Sequence, residues 1–449
     1  MTESGTAHLN PKLLDSRLRG NDDTKIMSIL DNRIAYTLLL WLLLPYALLH
    51  LLRRARRQPE YLQHIGERFG RYRIRSDKPL IWLHTVSVGE TRAAATLVHA
   101  LRARYPQHQI LLTHTTPTGR AASEQLYGDD VLRVYLPYDY PFAVRRFLKH
   151  FRPQVGVLLE TEVWFNLIHT CQRSRTPLLL LNARLSEHSA RKYARYPHLT
   201  REGLHALALI AAQTEDDALR LSSLSAHSVT VMGNLKFDIE PPPAQLELGR
   251  RLRARFGETR PVFLAASTRE GEEALLLDAL QHAAIENLLT VIVPRHPQRF
   301  DAVAALIENS GFRLQRRSRN EAVASDTQVV LGDSMGELFA YYSACDVAFI
   351  GGSLLPLGGQ NLIEAAACGT PALIGPHTFN FSQATEQAIA CGAALRVQDA
   401  DDLVRQLRTL LQDDARRLAM HRNAERFVSA NRGATERVCD LIASCLPKR

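Results

Sequence analysis

Short apolar runs and longer helical stretches alternate along most of the chain. From Pro79 the runs are Leu80–Leu83, Gln109–Thr113, Val131–Leu136, Val155–Leu159, Leu178–Leu181, Leu209–Ala212 and Val229–Val231, with helices between them, one over Thr91–Tyr105. Such alternation specifies a parallel sheet covered by helices on both faces. The segment Gly233–Gln245 interrupts the pattern: Pro241, Pro242 and Pro243 can continue neither a helix nor a central strand. A second series follows at Val262–Ala266, Leu289–Val293, Phe312–Leu314, Gln328–Leu331, Val347–Ile350, Ala372–Ile374 and Ala393–Val397, and closing helices are expected over Asp401–Gln412 and Asp414–Asn431. The pattern predicts two doubly wound α/β domains, 58–236 and 237–430, followed by a tail, 431–449. A cleft between them is expected, because such sheets bind ligands beyond the carboxyl ends of their strands.

The N-terminal part does not fit that pattern. Residues 1–33 read as a disordered tail or an over-long start, with Met27 a more plausible beginning. Ile34–Leu52 contains no Asp, Glu, Lys or Arg and has roughly the length needed to cross a bilayer core. Arg53, Arg54, Arg56 and Arg57 follow at once, so 34–57 reads as a retained membrane anchor with a cytoplasmic basic flank. Pro45 would kink a spanning helix, and a helix lying in the cytoplasmic leaflet is the alternative.

Composition narrows the class. The chain of 449 residues is 46% hydrophobic and 22% charged, as a globular protein is. Its net charge of +9 fits acidic lipids, a phosphorylated substrate or nucleic acid. The six cysteines form no CxxC pair and read as reduced thiols. There is no GxxxxGK[ST], and no GxGxxG follows the first strand, which argues against P-loop hydrolysis and dinucleotide redox chemistry. Asp399-Ala400-Asp401 opens a helix, where carboxylates are expected anyway. No catalytic metal and no cofactor are therefore expected.

Candidate chemistry collects where predicted strands end. In Asp346–Pro376 a buried strand leads into a loop with Gly351, Gly352, Gly358 and Gly359, and then into a helix expected over Asn361–Ala367. A strand, glycine loop and helix start together make an anion site, with Glu364 placed for a sugar hydroxyl; an ordinary βα turn is the bland alternative. Glu90, after His84-Thr85-Val86-Ser87-Val88-Gly89, is either a first-turn carboxylate or a general base for an acceptor hydroxyl. Glu160 and Glu162 end another strand. Lys236 sits at the linker, and Arg295 ends Leu289–Val293, suited to hold a phosphate. Ser267–Gly271 and Gly332–Leu338 offer further backbone donors.

Taken in order, these stretches resemble the 3-deoxy-D-manno-octulosonic acid (Kdo) transferases, glycosyltransferases of the two-domain GT-B type. The resemblance covers about residues 34–430 and rests on ERFG at 67–70, HTVSVGE ending at Glu90, TTPTGR at 115–120, LPYD at 136–139 and ETEVW at 160–164. It continues through LNARLS at 181–186, GNLKFD at 233–238, PRHP at 294–297, GDSMGEL at 332–338, GGSLLPLGGQNLIEAAACGTP at 351–371 and PHTFNF at 376–381. It implies a CMP-Kdo donor, a lipid A precursor (lipid IVA) as acceptor, action at the cytoplasmic face of the bacterial inner membrane, and no nucleic-acid partner. It also implies Glu90 as general base, with Glu162 and Lys236 stabilising the transition state. CMP would be bound by Pro294, Arg295, Met335, Gly336, Glu337, Asn361, Leu362, Ile363 and Glu364. Arg269 departs from the family pattern, which commonly has His there. A GT-B enzyme using a UDP-sugar and a membrane scaffold without catalysis are the competing readings.

Overall fold

The computed structural model describes residues 31–225, 228–283 and 285–447. Residues 1–30, which carry most of the expected tail, lie outside them. The chain divides into two compact units, one running to Leu235 and resumed from Gly433, the other Lys236–Arg432.

The first unit holds β1 (Leu80–His84), β2 (Gln109–His114), β3 (Leu132–Tyr135), β4 (Val155–Leu159), β5 (Leu178–Ala183), β6 (Leu209–Ala212) and β7 (Thr230–Val231). All are parallel, in the order β3-β2-β1-β4-β5-β6-β7. The central strands β1, β4 and β5 are buried throughout, so helices must cover both faces. The helix expected over Thr91–Tyr105 is two, Val88–Ala93 and Ala95–Arg104, because the Ala94 N–H is shared between Glu90 and Arg92 and the chain turns there. Asp31 and Asn32 are ordered capping groups: Asp31 accepts the His198 and Leu199 N–H at 3.0 and 2.8 Å, and Asn32 accepts that of Ala35 at 2.9 Å.

The second unit holds β8 (Val262–Thr268), β9 (Leu289–Pro294), β10 (Leu314–Arg316), β11 (Val329–Leu331), β12 (Val347–Ile350), β13 (Ala372–Ile374) and β14 (Ala394–Arg396). They run parallel in the order β10-β11-β9-β8-β12-β13-β14. β10 lies two residues later than the apolar run Phe312–Leu314, because pairing Leu314 with Val329 sets its register. The Asp399-Ala400-Asp401 run does what helix starts do: the Asp399 carboxylate accepts the Asp402 N–H at 2.8 Å.

Beyond Asn431 the sequence suggested only a tail, yet Ala434–Cys445 is a helix that returns to the first unit. It packs on Ala95–Arg104, with Val438 and Ile442 fully buried in that unit's core. Its apolar spacing is helical, but a short amphipathic stretch at a chain end does not reveal which sheet it covers. Ile442→Ala is expected to cost about 2–4 kcal/mol, read as a lower urea midpoint of the first unit's transition with the second unchanged.

Candidate active site

In a doubly wound sheet the ligand site lies where strand order reverses. In the first unit that point is between β1 and β4. The chain leaving β1 turns at Thr85–Ser87 into Val88–Ala93, whose cap is the Ser87 hydroxyl, accepting the Glu90 N–H at 3.3 Å. The Glu90 carboxylate folds back over the turn. It accepts the Val86 N–H at 2.8 Å and the Ser87 hydroxyl at 3.0 Å, a capping box one residue wider than usual. The first-turn role is therefore real, but it does not exhaust this carboxyl. Burial pushes it up to about 7, with Glu160 and Glu162 adding repulsion against the opposing hydrogen bonds from Val86 and Ser87.

Those two neighbours come from the other side of the reversal. Glu160 leaves β4 with φ +62°, a backbone that a non-glycine residue adopts only under local constraint, as at functional turns. Glu162 accepts the Trp164 indole N–H at 2.6 Å, and burial raises its carboxyl as well. The structure thus brings Glu90 and Glu162 together with Glu160. Behind the turn lies a buried polar layer that the sequence reading passed over. Thr91 donates to the Ser87 carbonyl at 2.9 Å and lies 3.1 Å from the Thr85 hydroxyl, which meets His114 Nδ1 at 3.1 Å. His84 and His114 are kept neutral by burial, with pKa values lowered to about 3 and about 4. The signal was present in the polar residues closing the apolar runs of β1 and β2.

In the second unit the reversal falls between β8 and β12. Arg269 follows β8, and Arg295 and His296 follow β9. His296 is pushed down by burial and then by Arg269, Arg295 and Arg299, so three guanidinium groups gather around it. Arg295 donates from Nε to Gln360 in the glycine loop at 3.2 Å. Arg299 is taken by the fully buried Glu273 through two bonds of 2.6 and 3.0 Å. The glycine loop has its own steric reason: a Cβ on Gly351 would stand 2.5 Å from the Ser267 carbonyl oxygen. Ser267 itself has φ +55°, and the β8 register shifts around it. Glu272 ties the two loops: its buried carboxylate accepts the N–H groups of Gly352 at 2.6 Å, Arg269 at 2.9 Å and Leu354 at 3.0 Å. Sequence reading missed Glu272 and Glu273, since paired glutamates at a helix start are ordinary.

The helix after the glycine loop is shorter than expected. It spans Ile363–Ala367, not Asn361–Ala367, too few aligned peptides for a strong dipole at its start. Asn361 accepts the Ile363 N–H at 3.2 Å and donates to Glu364 at 3.2 Å, so the two residues proposed for the nucleotide hold each other. Leu362 and Ile363 are buried in the core; any ligand contact from them is through backbone. Pro294 ends β9 and is buried. Met335 and Gly336 are exposed after β11, on the far side of β9, while Glu337 receives Arg317 at 3.0 Å and the Ser334 hydroxyl at 2.5 Å. Lys236 starts the second unit with its Nζ 5.3 Å from the Phe381 ring centre. Among the described residues no group of three or more His, Cys, Asp or Glu side chains is arranged to hold a metal ion.

Two parallel seven-stranded sheets, one in each unit, define the GT-B architecture. A glycosyltransferase from Rickettsia africae superposes with a TM-score of 0.58, at 14% identity, covering 83% of this chain and all of that one. The family model described as 3-deoxy-D-manno-octulosonic-acid transferase (kdotransferase) matches residues 63–239, and that for glycosyl transferases group 1 matches 262–427. The 3-deoxy-D-manno-octulosonic acid transferase of Bordetella pertussis is 44% identical over 92% of this chain and 99% of its own length. The transferase of Haemophilus influenzae bearing the same name is 37% identical over 93% of this chain and 99% of its own. The chain belongs to the 3-deoxy-D-manno-octulosonic acid transferase family and is a glycosyltransferase.

Proposed function

We propose that this enzyme transfers Kdo from CMP-Kdo to a lipid A precursor, lipid IVA, in lipopolysaccharide synthesis at the cytoplasmic face of the bacterial inner membrane. The observation that carries the mechanism is the Glu90 carboxyl, poised near neutrality at the reversal point of the first sheet. An acceptor hydroxyl gives its proton to Glu90 as its oxygen attacks the anomeric carbon of Kdo. The bond from that carbon to the CMP phosphate breaks, and the phosphate takes up the electron pair. Direct displacement inverts the centre. Glu162 and Lys236 are assigned to the transition state, Glu162 by its place beside Glu90 in the electrostatics of the first unit. Arg295, held by Gln360 of the glycine loop, receives the leaving phosphate. The segments Pro294–Arg295, Met335–Glu337 and Asn361–Glu364 are assigned to CMP.

The reaction is tested by incubating the full-length enzyme with CMP-Kdo and tetraacylated lipid A precursor and weighing the products. One or more Kdo additions are expected, at a rate unchanged by EDTA. Transfer from a UDP-sugar but not from CMP-Kdo would refute the donor assignment, and loss of activity in EDTA would refute metal independence.

A further inference from the structure

The apolar helix Arg33–Arg57 is long and apolar enough to cross a membrane. Its contacts with the body of the first unit argue otherwise. At its start Arg33 and Thr37 donate to the Asn166 side chain at 3.3 and 2.9 Å, and the Tyr36 hydroxyl donates to Asp139 at 2.9 Å. Asp139 is itself buried and fixed by the N–H groups of Asn166 and Leu167 at 3.1 and 2.7 Å. One turn on, the Leu40 carbonyl accepts the Tyr140 hydroxyl at 2.7 Å, and the Trp41 ring lies 4.9 Å from Tyr140 and 5.8 Å from Phe142. At the far end Leu51 and Ala55 are buried, and the helix packs on the turn Pro59–Leu62. Positions 33, 37, 40, 44, 48, 51 and 55, which are among the less exposed, recur every three or four residues and form one stripe, whose first two turns carry the contacts with the body.

The length left over decides the topology. With the helix held down through Trp41 and again from Leu51, the apolar part between is Leu42–His50, about 14 Å at 1.5 Å per residue. A bilayer core is about 30 Å thick. The opposite face is unpartnered: Ile34, Leu42, Tyr46 and Leu49 are 68, 77, 65 and 60% exposed. Arg53, Arg54 and Arg56 follow on the exposed side.

We propose that Arg33–Arg57 does not cross the bilayer but lies in its plane, clamped to the first unit at Asp139 and Asn166, with its outer face in one leaflet of an anionic phospholipid membrane. The inference rests on the membrane location proposed above and fixes its geometry. The arginines supply the charge complementarity, since a basic residue beside an anionic leaflet strengthens binding severalfold. A helix held this way would also keep the Glu90 turn, in the same unit, at a constant height above the lipid.

The test uses the full-length enzyme with phosphatidylcholine vesicles, with and without phosphatidylglycerol. Flotation is expected with the anionic vesicles, weakened by salt, and at least about tenfold weaker for the Arg53→Gln, Arg54→Gln, Arg56→Gln variant. The emission difference between wild type and Trp41→Phe isolates Trp41. Lipids brominated near the glycerol end should quench it more than lipids brominated near the chain terminus. Stronger quenching by the deep bromines would place Trp41 mid-bilayer and overturn the in-plane geometry while leaving the anchor intact. Failure to float on either vesicle, with Kdo transfer to detergent-dispersed acceptor preserved, would overturn the membrane role and leave the transferase reading standing.

Discussion

Glu90→Gln is expected to lower kcat by about a thousandfold while leaving CMP affinity unchanged. The substitution suits the site. The Gln oxygen can keep the Val86 N–H, and the Ser87 hydroxyl, which now donates to Glu90, can rotate to accept from the new amide. Fold loss is therefore a poor explanation for any loss of rate, and CMP contacts are assigned to residues of the other unit. The same carboxyl sets a pH dependence. With its pKa at about 7, wild-type kcat/KM should fall about tenfold per pH unit below that point as the base becomes protonated. Glu160→Gln removes one of the repulsive neighbours and should move this limb to lower pH. Stability carries the matching sign. A carboxyl raised in the folded state favours folding while protonated, and that contribution fades as pH rises from its ordinary value near 4.5 through about 7. The Gln variant lacks this fade, so its melting temperature relative to wild type should rise across that window. A kcat within tenfold of wild type would mean that another group takes the acceptor proton.

The expected strands all have counterparts in the sheets, because each is a short buried apolar run between turn-forming residues, and in a parallel sheet that pattern has few competitors. What failed was local or long-range. Asn361 opens the helix in the sequence but precedes its first residues in the structure, where its side chain accepts the Ile363 N–H instead of leaving it for a ligand. Ala434–Cys445 was unreadable for the opposite reason: its partner, Ala95–Arg104, lies some three hundred residues away in sequence, and no local pattern encodes such a return. The places of Glu90 and Arg295 just after strands were legible from the apolar runs before them. The convergence of Glu160 and Glu162 on Glu90 depends on β1 and β4 becoming neighbours, a property of strand order and not of spacing. Glu272 was hidden by its ordinary position at a helix start, though the loops it joins lie some eighty residues apart.

That carboxylate yields the second large effect. Glu272→Gln is expected to raise the KM for CMP-Kdo about tenfold or more, to change kcat at saturating donor by no more than about threefold, and to destabilise the second unit by about 3 kcal/mol. Both oxygens of Glu272 are occupied by backbone N–H donors, from Gly352, Arg269 and Leu354. Replacing either oxygen with an amide turns N–H toward N–H in a closed space and orphans at least one buried donor, at about 1–3 kcal/mol each. Burial raises the Glu272 carboxyl, and the three N–H groups work against that rise. All three donors are best met by the ionised form, because a proton on either oxygen would compete with an N–H donor in a closed space. The loops cannot relax toward each other to compensate, because Gly351 already stands where a single Cβ would meet the Ser267 backbone. They must move apart, and the glycine loop carries Gln360, the partner of Arg295. Displacing the phosphate contact proposed for Arg295 should weaken donor binding and leave the proton transfer proposed for Glu90 in the first unit untouched, so the loss should appear in KM. Titration with CMP well below the melting temperature separates this from simple unfolding: unchanged affinity there would show that Glu272 serves folding alone.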